Sequence, residues 1–258
     1  MDKPYYVIDF SAVNCLLDIR VNDVSVLCMD ISGNISTIVP INQAILESGK
    51  QHISYNILPL LGTTTLKKNT SLIASVWLYD ASGEFIEKKE EITKKFIMPE
   101  NSAGILPAYK GEDFFIATVP YKLDAWQNSQ DLTKVEDLRL YVDLFYNEVE
   151  EMIANGQYNQ FAKLIQKREN NTATCMYLSE EEKEERITEL IEMIKTERLK
   201  VVPTSNKDIM LIYGYDKLVS LKKPDGDSAL VLRNDEGDEL SLDIQLHLPQ
   251  GSTDLLVI

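Results

Sequence analysis

A chain of 258 residues, 44% hydrophobic and 26% charged, has the balance of an ordinary globular protein and is long enough for one large or two medium domains. Its 41 acids against 26 bases leave a net charge of −15, a field that repels nucleic acid and anionic lipid and speeds encounter with a basic protein. Residues 1–10 hold no basic segment followed by a long apolar stretch, and no later window reaches the ~18 apolar residues of a membrane span, so a cytoplasmic location is expected.

Before residue 123 the pattern is β. Residues 6–10, 14–21, 24–29, 52–60, 71–79 and 114–119 are apolar, mostly alternating, and rich in β-branched or aromatic side chains. Turn signals separate them at 31–34, 47–50 and 80–83, each containing a glycine (Gly33, Gly49, Gly83). Residues 41–50 predict one helical turn closed by Gly49. Six strands in this span predict an antiparallel β-sandwich domain over 1–123.

Residues 124–135 are polar, lack alternation and read as a linker. Beyond it, Val135, Leu138, Val142, Phe145, Val149 and Met152 recur every three or four residues, and Asn155-Gly156 ends that helix. A second helix over 157–168 carries Tyr158, Phe161, Leu164 and Ile165 on one face. A third begins at Ser179, where Glu180, Glu181 and Glu182 suit the positive end of the helix dipole, and its buried stripe is Ile187, Leu190, Ile191 and Ile194. From 208 the period changes to two, predicting strands over 209–215, 218–221, 229–232, 240–248 and 254–258, with hairpin turns at 224–227 and 234–238. Helices followed by a meander of strands define an α+β domain over 136–258, its helices packed on one face of a curved antiparallel sheet.

The acid is concentrated in that second domain. Residues 1–123 hold 14 acids and 11 bases, whereas 124–258 hold 27 and 15, so −12 of the −15 lies there. Two acid-rich segments stand out, 180–185 and 234–239. The second packs carboxylates around Gly237 but lacks the Asp-x-Asp-x-Asp-Gly order of a calcium loop, so it reads as a solvated turn and no metal is expected.

No catalytic set is legible. His52 opens a strand, and His247 alternates with Leu246 and Leu248 on a polar face shared with Asp243 and Gln245; neither sits in a metal or nucleophile motif. Cys15, Cys28 and Cys175 lack C-x-x-C spacing and read as buried, reduced thiols. No phosphate-binding glycine loop or nucleophile elbow appears, and no cofactor is expected. Tyr141, Tyr146, Tyr158, Tyr177, Tyr213 and Tyr215 read as core or as the mouth of a pocket between helices and sheet.

With residues 148–156, the acidic helix start at Ser179 and the segment 212–219, the span 138–258 resembles the NTF2-like superfamily, in which three helices are wrapped by a strongly bent antiparallel sheet. With residues 21–26 and 40–54, the first half resembles the amino-terminal β-domain of bacterial proteins associated with interbacterial toxin immunity. The resemblance implies a binding version of the NTF2-like fold, since no acid/base set of its enzymes maps onto these residues.

The expectation is therefore a non-enzymatic immunity protein that occludes a cognate, basic protein toxin through Glu181, Glu184, Glu185, Asp235, Glu236 and Asp238. The rival is a small-molecule carrier or enzyme whose cone is lined by Tyr213, Tyr215, Asp243 and His247. An adaptor of a surface assembly is a third reading.

Overall fold

The computed structural model describes residues 2–101, 104–224 and 226–258. It divides into two units, Met1–Leu123 and Asp124–Ile258.

In the first unit, β1 (Pro4–Val21) and β2 (Val24–Pro40) form one long hairpin. Its two-residue turn is Asn22-Asp23, both left-handed at φ +51° and +64°, the conformation whose twist matches that of paired strands. A 3-10 turn at Asn42–Ala44 leads to β3 (Gly49–Leu58), followed by β4 (Ser71–Asp80), β5 (Glu87–Glu91), β6 (Phe96–Ile97) and β7 (Tyr109–Ala117). The pairings are antiparallel, in the order β5-β4-β1-β3-β7, with β2 on β1 and β6 on β4.

β1 organises this sheet. One edge pairs with β2 from Val7 to Val21; the other pairs with β4 from Pro4 to Val13 and with β3 from Leu16 to Val21. The change of partner falls at Asn14, left-handed at φ +49°, where the β1–β2 register shifts. There the sheet bends, and its two limbs face each other. Tyr55 of β3 stacks on Phe96 of β6 with ring centroids 4.6 Å apart, and Tyr6 of β1 meets Phe115 of β7 at 5.9 Å. Ile8, Phe10, Leu17, Ile19, Ile53, Ile57, Leu72 and Val76 fill this core.

Several expectations for this unit are corrected. The segments 6–10 and 14–21 are one strand, and the glycine turn at 31–34 lies inside β2, where Gly33 sits opposite the Asn14 irregularity. Gly49 opens β3 rather than closing a helix. The all-charged β5 lacks strand alternation because every one of its residues is exposed. Cys28 is exposed, unlike Cys15 and Cys175, because β2 pairs only with β1 among the described residues and is exposed over most of its length.

In the second unit come α1 (Leu138–Ala154), α2 (Tyr158–Cys175), α3 (Glu180–Thr196), β8 (Lys200–Val202), β9 (Ile209–Tyr213), β10 (Leu218–Lys222), β11 (Val231–Arg233), β12 (Glu239–Ser241), β13 (Leu246–His247) and β14 (Leu256–Val257). The strands form two small antiparallel sheets, β14-β13-β10-β9 and β12-β11-β8. The chain is thus mixed α and β, with three α-helices and antiparallel sheets among the described residues.

The helix ends follow local chemistry. Gly156 adopts φ +69° after α1; its N–H donates to Ile153 O at 3.0 Å, and Gln157 N–H donates to Met152 O at 2.8 Å, satisfying carbonyls that the last turn leaves unpaired. Ser179 and Glu182 form a reciprocal capping box at the start of α3. Val142, Tyr146, Val149 and Ile153 of α1, with Phe161 and Ile165 of α2, pack in one core with Val219, Leu221, Leu230, Leu232 and Ile244. In α3 only Ile194 is fully buried; Ile187, Leu190 and Ile191 are half-buried.

Here too the structure corrects the pattern. Residues 124–135 are held to the second unit: Gln130 N–H donates to Leu248 O and Leu132 N–H to Asp216 O, each at 2.8 Å, and Leu132 joins the core. α2 runs past Arg168 to Cys175. Gly214, Tyr215 and Asp216 are all left-handed and make the β9–β10 turn, so Tyr215 is not in a strand. The expected strand 240–248 is split between the two sheets, with 242–245 as a bridge. Of the turn expected at 224–227, Asp225 lies outside the described residues.

Candidate functional site

On α2 the buried stripe runs Phe161, Ile165, Glu169, Ala173 at intervals of four, so a carboxylate takes a place where the helix otherwise puts apolar groups. Glu169 is 4% exposed. Burial of a charge requires compensation, and two arginines supply it. Arg168 Nε donates to Oε1 at 2.8 Å, and Arg186 Nε, from α3, donates to Oε2 at 3.0 Å. Arg168 Nη1 also donates to the Asp243 carbonyl at 2.9 Å, tying α2 to the bridge after β12.

This cluster lies in the wall of a cavity of about 430 Å3, a size that fits a small molecule or a partner's side chain, bounded further by Thr172, Glu189, Leu190, Met193, Ser241, Leu242 and Asp243. Its wall combines charged side chains with the apolar Leu190, Met193 and Leu242. Glu169 is occupied on both oxygens, and Asp243 Oδ1 accepts from Lys222 Nζ at 2.7 Å. A second cavity of about 350 Å3 lies between the start of α1 and the C-terminal segment, with Gln130, Lys134, Tyr141, Leu248 and Leu255 in its wall.

The residues expected to line a cone do not converge. Of the four, only Asp243 borders either cavity. Tyr213 is buried, its hydroxyl 2.6 Å from Ser220 Oγ, which donates to Ile244 O at 2.8 Å. Tyr215 is exposed on its turn. His247, expected on a polar face, is 8% exposed, with Nδ1 2.7 Å from Ser129 Oγ. Burial pushes its pKa below the ordinary histidine value, so the ring is neutral near pH 7. Tyr146 is wholly buried, donating to Ile244 O at 3.2 Å and accepting from Leu221 N–H at 3.1 Å. His52, in the first unit, has Nε2 3.7 Å from Glu112 and its ring beside Phe114.

The six acids of the expected interface fall into two groups. Glu181, Glu184 and Glu185 are exposed on the first two turns of α3. Asp235, Glu236 and Asp238 are in the β11–β12 hairpin, close to Lys200, four residues past the helix end. A helix rising ~1.5 Å per residue separates positions 181 and 196 by roughly 22 Å. Asp235 accepts from Lys200 Nζ at 2.8 Å, which holds its carboxyl below the usual range. Asp238 accepts from Asn234 Nδ2 at 3.0 Å while its N–H and that of Glu236 donate to Asn234 Oδ1, so part of this acid serves the turn itself.

Sequence reasoning missed Glu169, Arg168 and Arg186 as a cluster. The signal was present in the four-residue spacing from Phe161 to Ala173, but a helix ended at 168 hides it. Among the described residues no group of three or more His, Cys, Asp or Glu is placed to hold a metal, and no helix is long and apolar enough to cross a membrane. The second unit thus combines helices and antiparallel strands, with exposed acidic side chains along α3. No protein-family model, curated protein or solved structure matches this chain.

Proposed function

We propose that the protein is a non-catalytic binding protein that neutralises a basic protein toxin through the α3 face of its second unit. One observation carries the reading: α3 presents an exposed row, Glu181, Glu185, Glu189 and Glu192, spaced to share one side of the helix, and the row reaches the 430 Å3 cavity at Glu189. A lysine or arginine of a partner inserted there gains charge-assisted hydrogen bonds, and the net −12 of residues 124–258 steers its approach. That Asp235 and Asp238 already have partners within the chain supports Glu181, Glu184 and Glu185 over the hairpin acids as the contact residues of this reading. The facing limbs of the first unit support a sandwich-like domain, and three helices preceding bent antiparallel strands support an NTF2-like second domain.

Capture from the protein's own cell lysate at low and raised salt tests it, with the variant Glu181→Gln/Glu185→Gln/Glu189→Gln/Glu192→Gln run alongside. A basic protein retained at low salt, released at high salt, lost by the variant and rendered harmless by co-expression is the expected result. Retention that ignores both salt and the variant refutes the electrostatic interface.

A small-molecule carrier or enzyme is the second reading, favoured by the cavity volume alone. It predicts a metabolite that raises the thermal midpoint, and loss of that shift in Arg186→Gln.

A further inference from the structure

The two arginines that Glu169 holds are not equally engaged. Arg168 donates from Nε to Glu169 and from Nη1 to the Asp243 carbonyl, and its Nη2 lies 2.7 Å from Glu169 Oε1. Arg186 is anchored through Nε alone, and its two terminal nitrogens donate to no group among the described residues. A buried carboxylate between arginines is often no better at joining two helices than apolar side chains of similar volume. What Glu169 adds is a positioned guanidinium, clamped in the cavity wall with its outer edge unpaired. The rest of the wall complements that edge. Thr172 is half-buried and its hydroxyl bonds to nothing among the described residues; Glu189, one turn along α3 from Arg186, forms no ion pair among them. Asp243 keeps Oδ2 open beside the Oδ1 that Lys222 holds, and Leu190, Met193 and Leu242 supply an apolar side.

We infer that this cavity binds a free α-amino acid with an aliphatic side chain. Its carboxylate meets the planar fork of Arg186 and the Thr172 hydroxyl, its ammonium meets Glu189 and Asp243, and its side chain lies on Leu190, Met193 and Leu242. Opposite charges side by side in the wall select a zwitterion. A simple carboxylic acid brings its anion to Arg186 but leaves Glu189 and Asp243 unanswered beside it, and a simple amine brings a cation next to an unpaired guanidinium. A volume of about 430 Å3 is ample for such a molecule. The inference rests on the second reading above, of a small molecule in this cavity. Of the acid row on α3, Glu181, Glu185 and Glu192 stand outside the wall, so the toxin interface is judged by its own capture experiment.

Calorimetric titration of the full chain with L-leucine, 4-methylpentanoate and 3-methylbutylamine tests it. The three share one branched side chain; the second lacks the ammonium and the third the carboxylate. Leucine is expected to bind once per chain, and each of the others at least about tenfold more weakly. Arg186→Gln and Glu189→Gln are each expected to weaken leucine binding at least about tenfold as well. No saturable binding of leucine, valine or methionine up to the millimolar range overturns the inference. So does 4-methylpentanoate or 3-methylbutylamine binding as tightly as leucine. If a metabolite extract raises the thermal midpoint while no amino acid binds, the inference fails and the small-molecule reading survives; if neither acts, both fail. The comparison of the three ligands uses the native chain and stands even where Arg186→Gln fails to fold.

Discussion

Asn14 Oδ1 accepts a hydrogen bond from Gly33 N–H at 3.0 Å across the break in the β1–β2 ladder, and both residues have positive φ, +49° and +112°. Thr70 Oγ1 donates to the Asn14 carbonyl at 2.8 Å, so the bend is fastened from two sides. A Cβ on Gly33 meets nothing within 4 Å, which leaves the backbone conformation as the whole cost of adding one. Gly33→Ala is expected to destabilise the first unit by about 1–2 kcal/mol in chemical denaturation, with the spectroscopic signature of the folded state unchanged.

The facing limbs make a second demand. A Cβ on Gly111 of β7 would lie 2.2 Å from the Phe96 ring, which is itself stacked on Tyr55. Gly111→Ala is expected to cost about 2–3 kcal/mol through overpacking, and combining it with Phe96→Leu is expected to cost less than the sum of the two single changes. Simple additivity in a double-mutant cycle would show that the ring and the glycine are not coupled.

Glu169 holds two arginines whose side chains keep 21% and 45% of their exposure, so solvent screens part of the interaction. Glu169→Gln is expected to lower stability by about 1–3 kcal/mol, below the loss for breaking a fully buried pair. Urea denaturation measures it; an unchanged midpoint would mean that the arginines find water as easily as they find Glu169.

His247 sets a pH response. Desolvation by burial lowers its pKa from 6.5, Asp124 opposes that and Lys167 adds to it. The unfolded chain takes up the proton more readily than the folded one, so this contribution is fully present above pH 6.5 and is lost as the pH falls toward the depressed folded value. Thermal midpoints recorded from pH 7.5 down to 5 are expected to fall, and His247→Gln is expected to flatten that part of the curve.

Tyr146→Phe keeps the buried ring and removes the hydroxyl that serves Leu221 N–H and Ile244 O. Ile244 O retains Ser220 Oγ, whereas Leu221 N–H is left without its partner, and the expected loss is about 1–3 kcal/mol in equilibrium unfolding.

The legible parts of the fold were those set by neighbours in sequence. Ser179 and Glu182 are three residues apart, and the helix start they announce needs nothing beyond the local chain; Asn155-Gly156 ends α1 for the same kind of reason. Gly33 shows the opposite case. Its local neighbours read as a turn, but pairing with β1 keeps the chain extended through it, and what the glycine supplies is a conformation opposite Asn14. His247 and Asp243 share a parity that puts them on one face of a continuous strand, yet the chain leaves the strand between them because Ile244 O is held by Tyr146 and Ser220.

What the sequence by itself determined is therefore local and electrostatic: the order of β before α, the start and end signals of the helices, and the excess acid of residues 124–258. Only the tertiary structure decided that β1 serves two partners along one edge, that α2 extends far enough to bury Glu169 between Arg168 and Arg186, and that the six chosen acids occupy two places rather than one. Periodicity reports which face of an element is apolar. Which element covers that face, and which charges come within hydrogen-bonding distance, depends on contacts between residues far apart in the chain.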